Sequence, residues 1–66
     1  MEMVKNKNEQ DVDFVVAVEL MDSELVDEIH NSMETYSAQE FFSAYEKAHE
    51  EKFGEEWELS KENPVY

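Results

Sequence analysis

The chain has 66 residues, 18 of them Asp or Glu against five lysines, with no arginine and no cysteine, for a formal net charge of −13. That length allows one domain with a small core, and the missing cysteines exclude a disulfide staple, a thiolate metal site and a cysteine nucleophile. The charge argues against direct nucleic-acid binding, which draws its affinity from neutralising phosphates, and against attraction to anionic membranes.

Residues 1–10 carry as many bases as acids and show no apolar period. They are expected to be loose, as are residues 61–66. Residues 11–21 alternate with period two. Val12, Phe14, Val16, Val18 and Leu20 fall on one face, and Asp11, Asp13, Val15, Ala17, Glu19 and Met21 on the other. This β-branched run predicts a half-buried strand over 12–20. Residues 23–34 predict a helix. Ser23 or Asp22 is placed to cap it, Leu25, Val26, Ile29 and Met33 form an apolar stripe, and early acids suit the positive end of its dipole.

Residues 37–53 predict a second helix, antiparallel to the first. Ser37-Ala38-Gln39-Glu40 reads as a capping box, Tyr36 as a staple onto Phe41, and Gly54 as the C-cap. Its stripe is Phe41, Ala44, Tyr45 and Ala48, with Phe42, His49 and Phe53 at the edge. Trp57 and Leu59 alternate with acids and suggest a short terminal strand, which Asn63-Pro64 ends. The reading is a small single α+β domain over 1–66. The strand's inward face, Leu25, Ile29, Met33, Phe41, Tyr45, Ala48 and Trp57 supply its core or an interface. Strand 12–20 must pair with the terminal segment, with a second copy, or with a partner's sheet edge.

A mean hydropathy of −0.76 and the high charge lean toward disorder. A 41% apolar and 12% aromatic content, with one Gly and one Pro, opposes it. No apolar run approaches the roughly 18 residues of a membrane span, and residues 1–10 lack the apolar core of a secretory signal. A cytoplasmic protein is expected.

Chemistry-bearing motifs are few. His30 lies near Asp27 and Glu34, and His49 near Glu46 and Glu50, so a metal or acid–base site is conceivable. A packed or hydrogen-bonded histidine is the plainer reading of each. There is no His-Glu-x-x-His spacing, no Ser-His-Asp order and no glycine-rich phosphate loop. Neither catalysis, a metal nor a cofactor is expected.

The strand-helix-helix order resembles ribbon-helix-helix repressors, in which two chains pair their N-terminal strands. The resemblance implies a ribbon at 12–20 and a homodimer. The ribbon of those repressors reads the major groove with basic or amide side chains. Asp11, Asp13 and Glu19 stand here instead, and Glu40 sits where the second helix would meet phosphate.

The acids are patterned. Residues 11–36 hold eight acids and no base. Glu24, Asp27, Glu28, Asn31 and Glu34 fall on the helix face opposite the apolar stripe, and Glu40, Glu50 and Glu51 belong to a second row. Carboxylates three or four apart on a helix lie about 5–6 Å from one another. Such a row attracts basic clefts and speeds association with them; its plainer role is solubility. Trp57, with Phe42 and Tyr66, is either an interface anchor or a closure of the core.

Small size, acidity and missing arginine make the chain similar to small phage-encoded inhibitors of the DNA-mimic and anti-CRISPR type. That resemblance implies a non-enzymatic inhibitor. Its acids, with Trp57, would occupy a basic, nucleic-acid-binding surface of a larger protein in the host cytoplasm. The alternative is an adaptor that dimerises or completes a partner sheet through strand 12–20.

Overall fold

The computed structural model describes residues 2–61. Two short strands, β1 (Met3–Lys5) and β2 (Asp11–Asp13), pair antiparallel with Val4 opposite Val12. Three helices follow: α1 (Phe14–Leu20), α2 (Ser23–Ser32) and α3 (Ala38–Phe53). A 3-10 turn at Glu58–Ser60 ends the described chain. The α+β class holds, within a body of 29 × 29 × 18 Å.

The expected strand over 12–20 is corrected: only residues 11–13 are extended, and 14–20 are helical. The reason is the supply of partners. β1 matches β2 as far as Met3 opposite Asp13, and the Phe14 amide donates to the Glu2 carbonyl at 2.9 Å. No described strand runs beside 14–20. A backbone without ladder partners satisfies itself most fully as a helix. Asp13 starts that helix by accepting from the Val15 amide at 3.0 Å. Phe14, Ala17 and Met21 then turn inward, at helical rather than alternate spacing. Val18 and Leu20, expected in the core, are 42% and 51% exposed.

The hairpin turn between β1 and β2 spans Lys7–Glu9. The Glu9 amide donates to the Asn6 carbonyl at 2.9 Å, and Glu9 itself is left-handed at φ 63°. That is a three-residue hairpin loop with its third residue in the left-handed region, a place glycine usually fills.

The helix predictions from 23 and 37 onward match the fold closely. Asp22 caps α2 through the Leu25 amide, and the Ser37–Glu40 capping box forms in both directions. Tyr36 packs on Phe41 with ring centres 5.2 Å apart. Gly54 closes α3 at φ 71°, the left-handed conformation a C-cap needs. α2 and α3 pack antiparallel. Tyr36 bridges His30 near the end of α2 to Phe41 at the start of α3. At the other end, the Asp22 amide donates to the Tyr45 hydroxyl at 2.7 Å, and Lys52 reaches Asp22 and Glu24.

The terminal strand is also corrected, because residues 58–60 form a 3-10 turn that pairs with no strand. Trp57, Leu59 and Ser60 are all buried, and consecutive burial at 59 and 60 does not fit the alternation of a half-exposed strand. Asn63, Pro64 and Tyr66 lie outside the described residues. The core is one cluster of Val4, Val12, Ala17, Met21, Leu25, Ile29, Phe41, Phe42, Tyr45, Trp57 and Leu59.

The hairpin lies along α3 and is held there by polar clamps. The Gln39 amide group bonds both backbone groups of Lys5, accepting at 2.7 Å and donating at 2.8 Å. Glu46 accepts from the Lys7 amide at 2.9 Å and the Ser60 hydroxyl at 2.6 Å. Burial pushes the Glu46 carboxyl above its usual range. The Ser60 and Lys7 donors oppose that shift without cancelling it, and the charge of Glu50 adds to it. A raised carboxyl favours the protonated folded state, so its contribution is present below the ordinary pKa and lost as pH rises through the folded one. Glu46→Gln keeps an oxygen acceptor for both donors. Its melting temperature should gain on that of the parent as pH rises from 4 to 7 in parallel thermal melts. A constant difference across that range would show that Glu46 titrates normally.

Candidate interaction surface

The acidic residues singled out in the sequence all lie on the outside, but they do not form one set. Glu24, Asp27, Glu28 and Asn31 share the outer face of α2, and Glu34 follows just past its end. Among them Glu24 is held by Lys52 at 2.7 Å. Asp27, Glu28 and Glu34 are exposed, and their carboxylates engage no hydrogen bond or ion pair among the described residues.

Glu40, Glu50 and Glu51 are on α3. Glu40 returns its carboxylate to the Ser37 amide at 3.2 Å, so its first duty is structural. Glu50 pairs with Lys7, which also meets Glu56 at 2.9 Å. The Glu50 hydrogen bond, then the Glu56 one, raises the Lys7 ammonium above its usual value despite partial desolvation. Glu51 is exposed and without such a partner. At Asp22, partial burial works to raise the carboxyl, but the Leu25 amide and Lys52 outweigh it and hold it below the usual range.

Trp57 is corrected as a surface anchor. It is 5% exposed, with ring centres 4.5 Å from Tyr45 and 5.4 Å from Phe42. It closes the core over α3. Phe42, expected at the edge of the stripe, is fully buried beneath it.

Both histidines are engaged within the fold. His30 Nδ1 lies 2.7 Å from the Tyr36 hydroxyl, and His49 Nδ1 lies 3.1 Å from the Glu55 carbonyl, beside the Tyr45, Phe53 and Trp57 rings. Among the described residues no three His, Asp or Glu side chains gather in a metal-binding arrangement.

A groove of about 360 Å³ between the hairpin and α3 is lined in part by Lys5, Lys7 and Lys47. Sequence spacing gave no sign of this grouping, because it depends on the hairpin lying along α3. Its Gln39, Glu46 and Lys7 groups already bond to one another's elements.

The ribbon and adaptor readings lose their strand with the correction at 14–20. Within the described hairpin, the outward backbone groups of Lys5 are also taken by Gln39. No described helix is long and apolar enough to cross a membrane.

What the fold leaves facing solvent is an acidic helix face on a small α+β scaffold. Residues 5–57 match the family model of anti-CRISPR protein AcrIC5. The match covers most of the chain, and the chain belongs to that family. No curated protein matches it significantly.

Proposed function

We propose that this inhibitor blocks a CRISPR effector by laying the acidic face of α2 on a basic surface where the effector binds nucleic acid. It acts by occupancy, as a DNA mimic, with no chemical step. A phage-encoded protein of this kind works in the cytoplasm of the infected cell.

The observation that supports the reading is the state of Asp27, Glu28 and Glu34. They are exposed and unneutralised, whereas Lys5, Lys7 and Lys52 are paired to other acids. The row from Glu24 to Asn31 runs about 10 Å along the helix at 1.5 Å per residue. A fixed row of carboxylates presents to a basic cleft the charge that a phosphate backbone would. Solubility alone needs charge somewhere on the surface, and does not call for exposed carboxylates three and four residues apart along one helix face.

Charge reversal tests it. The triple variant Asp27→Lys, Glu28→Lys, Glu34→Lys touches no internal bond, so its melting temperature should not fall. Its affinity for a purified Cas effector complex that the parent inhibits should drop about tenfold or more at 0.1 M salt, with a shallower salt dependence. Target DNA should compete with the parent for the complex. Unchanged affinity and unchanged salt slope would remove the acidic face from the contact.

A further inference from the structure

α1 presents an outward face of a different chemistry. Its sequence, Phe-Val-Val-Ala-Val-Glu-Leu, has one polar residue. Phe14, Ala17 and Met21 face the core. At 100° per residue, the remaining arc runs Val18, Val15, Glu19, Val16, Leu20 around the helix. Val15 is 60% exposed, Val18 42% and Leu20 51%, and Val16 is half-buried. Single exposed apolar side chains are ordinary, but a helix that is apolar nearly all round normally has something covering it.

Charge decides what that cover is. Glu19, in the middle of the arc, is its only polar side chain, and it is exposed. Asp13 caps the helix start, and Glu2, whose carbonyl receives the Phe14 amide, is exposed beside it. Lys52, which reaches the chain just past the end of α1, is already taken by Asp22 and Glu24. A second copy docking the same face about a two-fold axis would set Glu19 against valines or its own counterpart. It would also bring two bodies of net charge −13 together. A partner offering an apolar hollow with a Lys or Arg opposite Glu19 satisfies every part of the arc.

We propose that the outward face of α1 is an anchoring contact that seats in an apolar hollow bordered by Lys or Arg on the inhibited effector. The proposal rests on the reading that the target is a basic protein, but it assigns residues separate from the α2 acids. It gives the complex a component that salt does not screen.

The double variant Val15→Thr, Leu20→Gln keeps side-chain size at two exposed positions. Binding to the purified Cas effector complex is titrated from 0.05 to 0.5 M salt. The expected result is about a tenfold loss of affinity, as at an interface anchor, with the salt slope of the parent. Glu19→Gln should instead flatten that slope. Should the double variant melt below the parent, Val18→Thr alone serves as the second test, with a loss of severalfold. Affinity within twofold of the parent for variants that melt normally would overturn the proposal. So would a parent that sediments as a dimer which Val15→Thr, Leu20→Gln dissolves. If the α2 reversal leaves binding intact while the α1 variants weaken it, the acidic reading fails and this one stands.

Discussion

Phe42→Ala is expected to remove a third or more of the chain's stability at 25 °C, about 3–5 kcal/mol. The ring is fully buried and packs 5.4 Å from Trp57, which in turn meets Tyr45 at 4.5 Å. Removing a buried phenylalanine costs about 3–5 kcal/mol, the lost transfer energy plus the cavity left behind. A domain of this size has a total stability of roughly 3–10 kcal/mol. The expected result is a urea midpoint, followed by the helical circular-dichroism signal, that falls by a third or more of the parent's value. Phe53→Ala is the comparison. That ring is 48% exposed on the last turn of α3, and its removal should lower the urea midpoint only slightly. A cooperative Phe42→Ala transition near that of the parent would mean that Trp57 collapses into the space.

Asn6→Ala is expected to have the next largest effect, about 2–4 kcal/mol. Asn6 is 4% exposed and its side chain joins two parts of the chain. Its Nδ2 donates to the Leu59 carbonyl at 2.9 Å and to Gln10 Oε1 at 3.3 Å. Its Oδ1 accepts the Asn8 amide at 2.9 Å and the Gln10 amide at 3.0 Å. Alanine leaves three backbone groups without that partner, and each such group costs about 1–3 kcal/mol when water does not replace it. Asn6→Asp keeps the acceptor but aims a carboxylate at the Leu59 carbonyl, so it should not rescue the loss. Urea titration gives the magnitude, and hydrogen exchange at the Asn8 and Gln10 amides gives the location. Exchange unchanged at both amides would show that the turn stands without Asn6.

The two long helices were legible because their signals are local. Asp22, Ser37, Glu40 and Gly54 act on backbone groups within four residues of themselves, and the apolar stripes repeat at helical spacing. Residues 14–20 were not legible, because their valines fit either period. The choice was made elsewhere, by how far Met3–Lys5 can pair. β1 is three residues long, too short for a pattern to show. The 3-10 turn depends on docking against Asn6, Asn8 and Glu46, some 14 to 53 residues away in sequence. The acidic face of α2 was legible because its acids sit opposite a clear stripe. For Trp57 the sequence left an interface anchor and a closure of the core both open, since its cover comes from Phe42 and Tyr45 together. The open face of α1 was hidden by the same ambiguity that hid the helix.

The bonds from Asn6 to Leu59 and from Asn8 to Ser60 span 53 and 52 positions. A ribosome makes about 5–20 residues per second, beginning at the N-terminus. The hairpin segment is therefore made early, yet its last polar partners do not exist until residue 60 has been made. Until then Glu46, Asn6 and the Trp57 side of the core have no lid, and the long loop they must close adds its entropy to the final step. Completion of this fold waits on residues 57–60, and a chain stalled or truncated before them is left with its core open.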